Sequence, residues 1–238
     1  MKILFAVMSA EHYIFNGMDD LIRQTWARDA AQHGDFRFFC GRGDTVLHPD
    51  YVRVDAPDDK DNLIYKVVEM CWWALDYGYD YILKTDIDTF VSFPFVLKDL
   101  KKFDYIGTSV GTPGKPYGDT GAYGFIQGSA MWLSRDAMNL IAHEVIDTML
   151  LETPRLMKAN GIISPYPHSE DLWIGMVLGP RIERGEIKVG IDKEFSNGKV
   201  TYHFAICHST CTQEEWRARL ERWFAELHKG NFAYHESR

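Results

Sequence analysis

Apolar and polar positions alternate between two periods along this chain. Short runs rich in β-branched and aromatic residues, bounded by Gly, Asp or Pro, predict strands at 2 to 8 (KILFAVM), 36 to 40, 51 to 54, 80 to 84, 104 to 108, 126 to 133 and 187 to 191. Between them the period lengthens to that of a helix. One helix is expected over 18 to 32, with Leu21, Ile22 and Trp26 on one side. Another is expected over 61 to 77, where Leu63, Val67, Met70, Cys71 and Ala74 share a face. Further helices fit 135 to 147, 170 to 179 and 212 to 228. The last of these sets Trp216, Leu220, Trp223, Phe224 and Leu227 on one face, suited to packing against the domain, with docking on a partner or a membrane surface as the other reading. Trp26, Trp72 and Trp73 read as core.

A β-α-β-α order implies one α/β domain over 1 to 238, a mostly parallel central sheet with helices on both faces and the amphipathic helix 212 to 228 at its end. In such sheets ligands gather at the carboxyl ends of strands. The fourth strand, in "YILKTDIDTFV", ends on Asp86 and Asp88. The stretch 110 to 124 (VGTPGKPYGDTGAYG) has no apolar periodicity and reads as a long Gly/Pro-rich loop at the rim.

Composition narrows the chemistry. With 238 residues, 46% of them hydrophobic, the chain can fill a sizeable core. A formal charge of -8, with Lys101-Lys102 as the short basic run, argues against a nucleic-acid partner. Cys40, Cys71, Cys207 and Cys211 lack metal-site spacing and are too few for a disulfide scaffold, so reduced thiols are expected. The opening MKILFAVM reads as a first strand, not a leader, and no apolar run has the length of a membrane span.

Two like charges one residue apart repel unless something positive is shared. An oxygen-ligated divalent cation such as Mg²⁺ or Mn²⁺ meets that need, and an exposed turn with two solvated aspartates is the alternative.

Further segments carry a resemblance. "IRQTW" (22 to 26), "FFCG" (38 to 41), "DDKDNLIYK" (58 to 66), "YILKTDIDTFV" (81 to 91), "GSAMWLS" (128 to 134) and "EDLWIG" (170 to 175) stand in the order of similar motifs in another group. That group is the inverting beta-1,3-glycosyltransferases that include fringe and the animal galactosyl- and N-acetylglucosaminyltransferases, and the chain resembles it from about residue 2 to 179. Ile87 departs from the triple-aspartate pattern of that family, and Ser129 from a glycine.

The resemblance implies a GT-A fold and transfer of a hexose or N-acetylhexosamine from a UDP-sugar to a hydroxyl acceptor, whether glycan, protein or another. It assigns the Mn²⁺ or Mg²⁺ to Asp88 with help from Asp86. His208 is favoured over His203 as third ligand, and either histidine also fits a structural role. Ser9, Ala10, Arg23, Lys66, Asp86, Gly128 and Ser129 are implied as donor contacts, with Asp86 near the ribose and a surface helix arginine as the other reading of Arg23. Asp171 is implied as general base, with Glu170 as fallback; the pair also fits a helix start capped by Ser169.

Residues 110 to 124 and 149 to 169 would shape the acceptor site. A soluble, cytoplasmic enzyme of bacterial or viral type is expected. A binding module on the same scaffold, with turnover weakened by Ile87, is the competing class. A phosphotransferase is disfavoured because no Gly-rich phosphate loop followed by Lys-Ser/Thr is present.

Overall fold

A computed structural model describes residues 1–12, 17–44, 48–91, 100–117, 122–160, 169–191, 201–203 and 213–228. Its strands are β1 (Ile3–Met8), β2 (Asp35–Cys40), β3 (Tyr51–Arg53), β4 (Tyr81–Asp86), β5 (Thr89–Val91), β6 (Tyr105–Val110), β7 (Pro116–Tyr117), β8 (Ala122–Tyr123), β9 (Phe125–Ser134), β10 (Val189–Ile191) and β11 (Thr201–His203). The helices are α1 (Met18–Gln24), α2 (Trp26–Ala30), α3 (Leu63–Asp76), α4 (Arg135–Asn160), α5 (Glu170–Glu183) and α6 (Gln213–His228).

Among the described residues, seven strands form the central sheet in the order β10-β6-β9-β4-β1-β2-β3. Strand β9 runs antiparallel to its neighbours β4 and β6, and the other pairings in this sheet are parallel. The expected mostly parallel sheet flanked by helices is therefore present. Every residue of β1 is buried, as a strand covered on both faces requires. Leu4, Ala6 and Met8 join one core with α3, α4 and α5, while Ile3, Phe5 and Val7 join the other with α1, α2 and Phe224 of α6. Phe224 meets Phe90 edge to face at 5.3 Å, which docks the C-terminal helix on the domain. The side chains of Trp216, Leu220 and Leu227 lie outside the described set.

Four expectations need correction. The helix expected over 18 to 32 is two helices, divided at Thr25, whose hydroxyl donates to Leu21 O at 2.7 Å. Such back-bonding competes with the helical ladder and bends it. The helix expected to end at 147 continues to Asn160 through Pro154, so part of the stretch 149 to 169 is helical. Within 110 to 124, β7 and β8 pair as a short antiparallel ribbon, and residues 118–121 lie outside the described set. Trp72 is 36% exposed, stacked edge-on against His143, because it stands off the buried face of α3; Trp26 is fully buried as expected.

Cys40 and Cys71 are buried free thiols. No helix among the described residues is long and apolar enough to cross a membrane.

Candidate active site

Strand register builds the site. Met8 pairs with Phe39 of β2 on one side and with Asp86 of β4 on the other, so three strands end level. From β1 the sheet grows toward β2 and β3 in one direction and toward β4 in the other. The reversal leaves a crevice between the carboxyl ends of β1 and β4, the place where open α/β sheets take ligands. A cavity of about 440 Å³ opens there. The end of β1 supplies Met8, Ser9 and Ala10, with His12 beyond; the approach to α3 and its first turn supply Asp58, Asp59, Lys60, Leu63 and Lys66. The end of β4 supplies Asp86, the turn after it Ile87 and Asp88, and α5 Glu170.

On the β1 wall, Lys66 is buried, donates to Ser9 O at 2.8 Å and is paired with Asp58. Asp58 also accepts from Gly41 N at 2.8 Å and Glu11 N at 3.1 Å, tying the loops after β1 and β2 to the start of α3. Glycine is needed at 41, since a Cβ there would stand 2.4 Å from Ala56 O. Ser9 Oγ donates to both oxygens of buried Asp19 at 2.9 and 3.1 Å, and Tyr51 donates to the same carboxyl. Burial outweighs those hydrogen bonds and raises Asp19 to about 6.

The β4 wall is built differently. Lys84, fully buried, donates to Asp86 Oδ1 at 2.7 Å, Glu170 Oε1 at 2.7 Å and Gly128 O at 2.5 Å. Asp88 is 4% exposed, while the Asp86 side chain is 34% exposed. Asp171 accepts from Gly128 N at 3.0 Å and from Leu172 N at 2.8 Å. Burial, and next the charge of Glu170, raise the Asp171 carboxyl to about 6. Ser169 holds the N-cap position of α5 without the side-chain capping bond expected of it.

Ser9, Ala10, Lys66, Asp86, Asp88 and Glu170 thus line one cavity. Gly128 and Asp171 join it through the Lys84 cluster, and Ser129 O accepts from Thr89 Oγ1 at 3.0 Å. Arg23 is elsewhere. Its guanidinium donates to Asp50 at 2.7 and 3.0 Å and to Asp20 at 2.8 Å, over the rings of Phe38 and Tyr51, and it does not appear among the cavity residues. His203 pairs through its backbone with Thr89; its side chain, and all of His208, lie outside the described residues.

Lys84, Asp58 and Asp19 were not singled out from the sequence. A lysine inside an otherwise apolar central strand was the available signal, because a buried ammonium must be paired.

No group of three or more His, Cys, Asp or Glu suited to a metal occurs among the described residues. Asp86 and Asp88 are nonetheless donors of the right kind for Mg²⁺ or Mn²⁺, which one or two carboxylates commonly hold together with water and substrate phosphates.

No protein-family model matches the chain, and no curated protein matches it. Among solved structures it is similar to the crystal structure of a glycosyltransferase involved in the glycosylation of the major capsid of PBCV-1. The two share 12% identity with a TM-score of 0.49, over 94% of this chain and 99% of that one.

Proposed function

We propose that the chain is a metal-dependent inverting glycosyltransferase of GT-A type, moving a hexose or N-acetylhexosamine from a UDP-sugar to a hydroxyl acceptor. The observation that carries the reading is the pair Asp86 and Asp88 on the wall of a cavity at the sheet's switch point, facing Ser9, Ala10 and Lys66. Of the motifs that resemble those of the beta-1,3-glycosyltransferases, DDKDNLIYK and YILKTDIDTFV supply most of these walls and EDLWIG supplies Glu170, while IRQTW lies away from the cavity. The cavity that would take an anionic diphosphate is lined by the carboxylates Asp58, Asp59, Asp86, Asp88 and Glu170 against the ammonium groups of Lys60 and Lys66. Such a site needs a cation.

Asp88 and Asp86 would hold Mn²⁺ or Mg²⁺, which when bound neutralises the charge developing on the departing UDP. The β1 end, Ser9 and Ala10, takes the nucleoside half of the donor, and Gly128 and Ser129 stand toward the sugar. Asp171 accepts the proton of the acceptor hydroxyl as its oxygen bonds to the anomeric carbon and the bond from that carbon to UDP breaks. A carboxyl raised to about 6 is better matched to that task near neutrality than an ordinary aspartate.

A second reading, a nucleotide-sugar or carbohydrate-binding module with weakened turnover, draws on Ile87. Its side chain is 3% exposed and belongs to the apolar core, so the middle position of the motif adds no ligand. A screen of UDP-sugars with Mn²⁺ separates the two. Donor hydrolysis or transfer supports the enzyme, and saturable binding with no turnover of any donor supports the module.

A further inference from the structure

Three segments distant in sequence converge on the ammonium of Lys84. Its acceptors are Asp86 at the end of β4, Gly128 in β9 and Glu170 at the start of α5, and its side chain is 1% exposed. An ammonium has three protons to donate. All three are met by the protein itself, so Lys84 acts on the site through the groups it holds and through its charge.

Those groups lead to Asp171. Gly128 accepts from Lys84 through its carbonyl and donates its N–H to Asp171. A Cβ at position 128 would stand 2.4 Å from Glu170 Oε1, so a larger residue there would displace the carboxylate that Lys84 holds. Asp171 also feels Glu170, its neighbour on α5. Tyr105 of β6 lies within electrostatic reach of both carboxyls and binds Ile126 N with its hydroxyl oxygen at 2.9 Å. Lys84 and Asp86 are the charged groups that β4 brings to this cluster.

We propose that Lys84 is a positioning residue that joins the Asp86 turn, β9 and the start of α5 into one unit and sets the charge around the Asp171 carboxyl. Its meaning for catalysis rests on the glycosyltransferase reading, but its effect on Asp171 does not. The charge of Glu170 pushes Asp171 up and that of Lys84 pulls it down, so removing each moves the carboxyl in opposite directions. A lysine whose charge is fully screened from Asp171 by its partners would alter stability without that signature.

The test is a pH titration of the full chain carrying ¹³C-labelled aspartate, with the Asp171 signal assigned by its loss in Asp171→Asn. In Lys84→Met the midpoint is expected to rise by about 1 pH unit, and in Glu170→Gln to fall by a similar amount. Lys84→Met leaves Glu170 buried without its partner and can fail to fold. The double variant Lys84→Met/Glu170→Gln removes both ends of the pair, and its midpoint is expected above that of Glu170→Gln alone by about 1 pH unit. Equal midpoints in Glu170→Gln and the double variant overturn the proposal. No substrate is needed. If transfer is then found and its acid limb fails to follow the shifted midpoint, Asp171 loses its role as base while the inference about Lys84 stands.

Discussion

The crevice has two walls, each built around a buried lysine, and the two are balanced differently. Lys66 on the β1 wall faces one carboxylate, Asp58, and a backbone carbonyl. Lys84 on the β4 wall faces two carboxylates, Asp86 and Glu170, with Asp88 and Asp171 close by. The first pair is neutral and fastens loops. In the second, two carboxylates share one ammonium. This asymmetry is why the proposed reading puts the nucleoside on the β1 side and the metal on the β4 side.

The largest effect expected from breaking this asymmetry is at Asp171. Asp171→Asn should cut turnover by roughly 10² to 10⁴ while keeping the donor dissociation constant within a small factor. Single-turnover transfer and donor binding measured on the same variant check it, and near-normal transfer would remove Asp171 from the chemistry.

Next in size is the neutral wall. Lys66→Met strands Asp58 and should cost about 3 kcal/mol of stability. The ratio of UDP affinities with and without Mn²⁺ should stay as in the unaltered chain. Denaturant unfolding and UDP titration read the two parts separately, and a lost Mn²⁺ dependence would erase the distinction between the walls.

The smallest effect concerns Asp19, behind the β1 wall. Its folded-state value of about 6 lies above the ordinary 3.8, so the folded chain holds this proton more tightly than the unfolded one. Stability from this group is therefore full below about pH 4, falls as pH rises toward 6 and levels beyond it, by about 2 to 3 kcal/mol in all. Asp19→Asn should flatten that share of the profile. Unfolding at pH 4 and pH 7 tests it, with Asp171→Asn as the control for the other raised carboxyl. An unchanged slope in Asp19→Asn would show that the proton is not held there.

The two walls also differ in how far the sequence revealed them. Asp86 and Asp88 were legible because they end an apolar run, and the central strands because burial on both faces leaves few polar letters in them. Lys84 was not, since Glu170 is 86 positions away and nothing local records the pairing. Asp58 likewise draws its partners from the loops after β1 and β2. Local rules also missed where α4 ends: proline usually stops a helix, yet this one continues through Pro154. Arg23 looked available in sequence because Asp50, which engages it, lies 27 positions on in another loop.

Calorimetry of UDP binding, with and without Mn²⁺, on the unaltered chain, Asp86→Asn and Asp88→Asn tests the division of the crevice most directly. Asp88→Asn should lose most of the Mn²⁺-dependent affinity, on the order of 10-fold to 100-fold, with its fold intact, and Asp86→Asn should lose less. UDP affinity that ignores Mn²⁺, or keeps its full Mn²⁺ dependence in both variants, would contradict a cation site on the β4 wall.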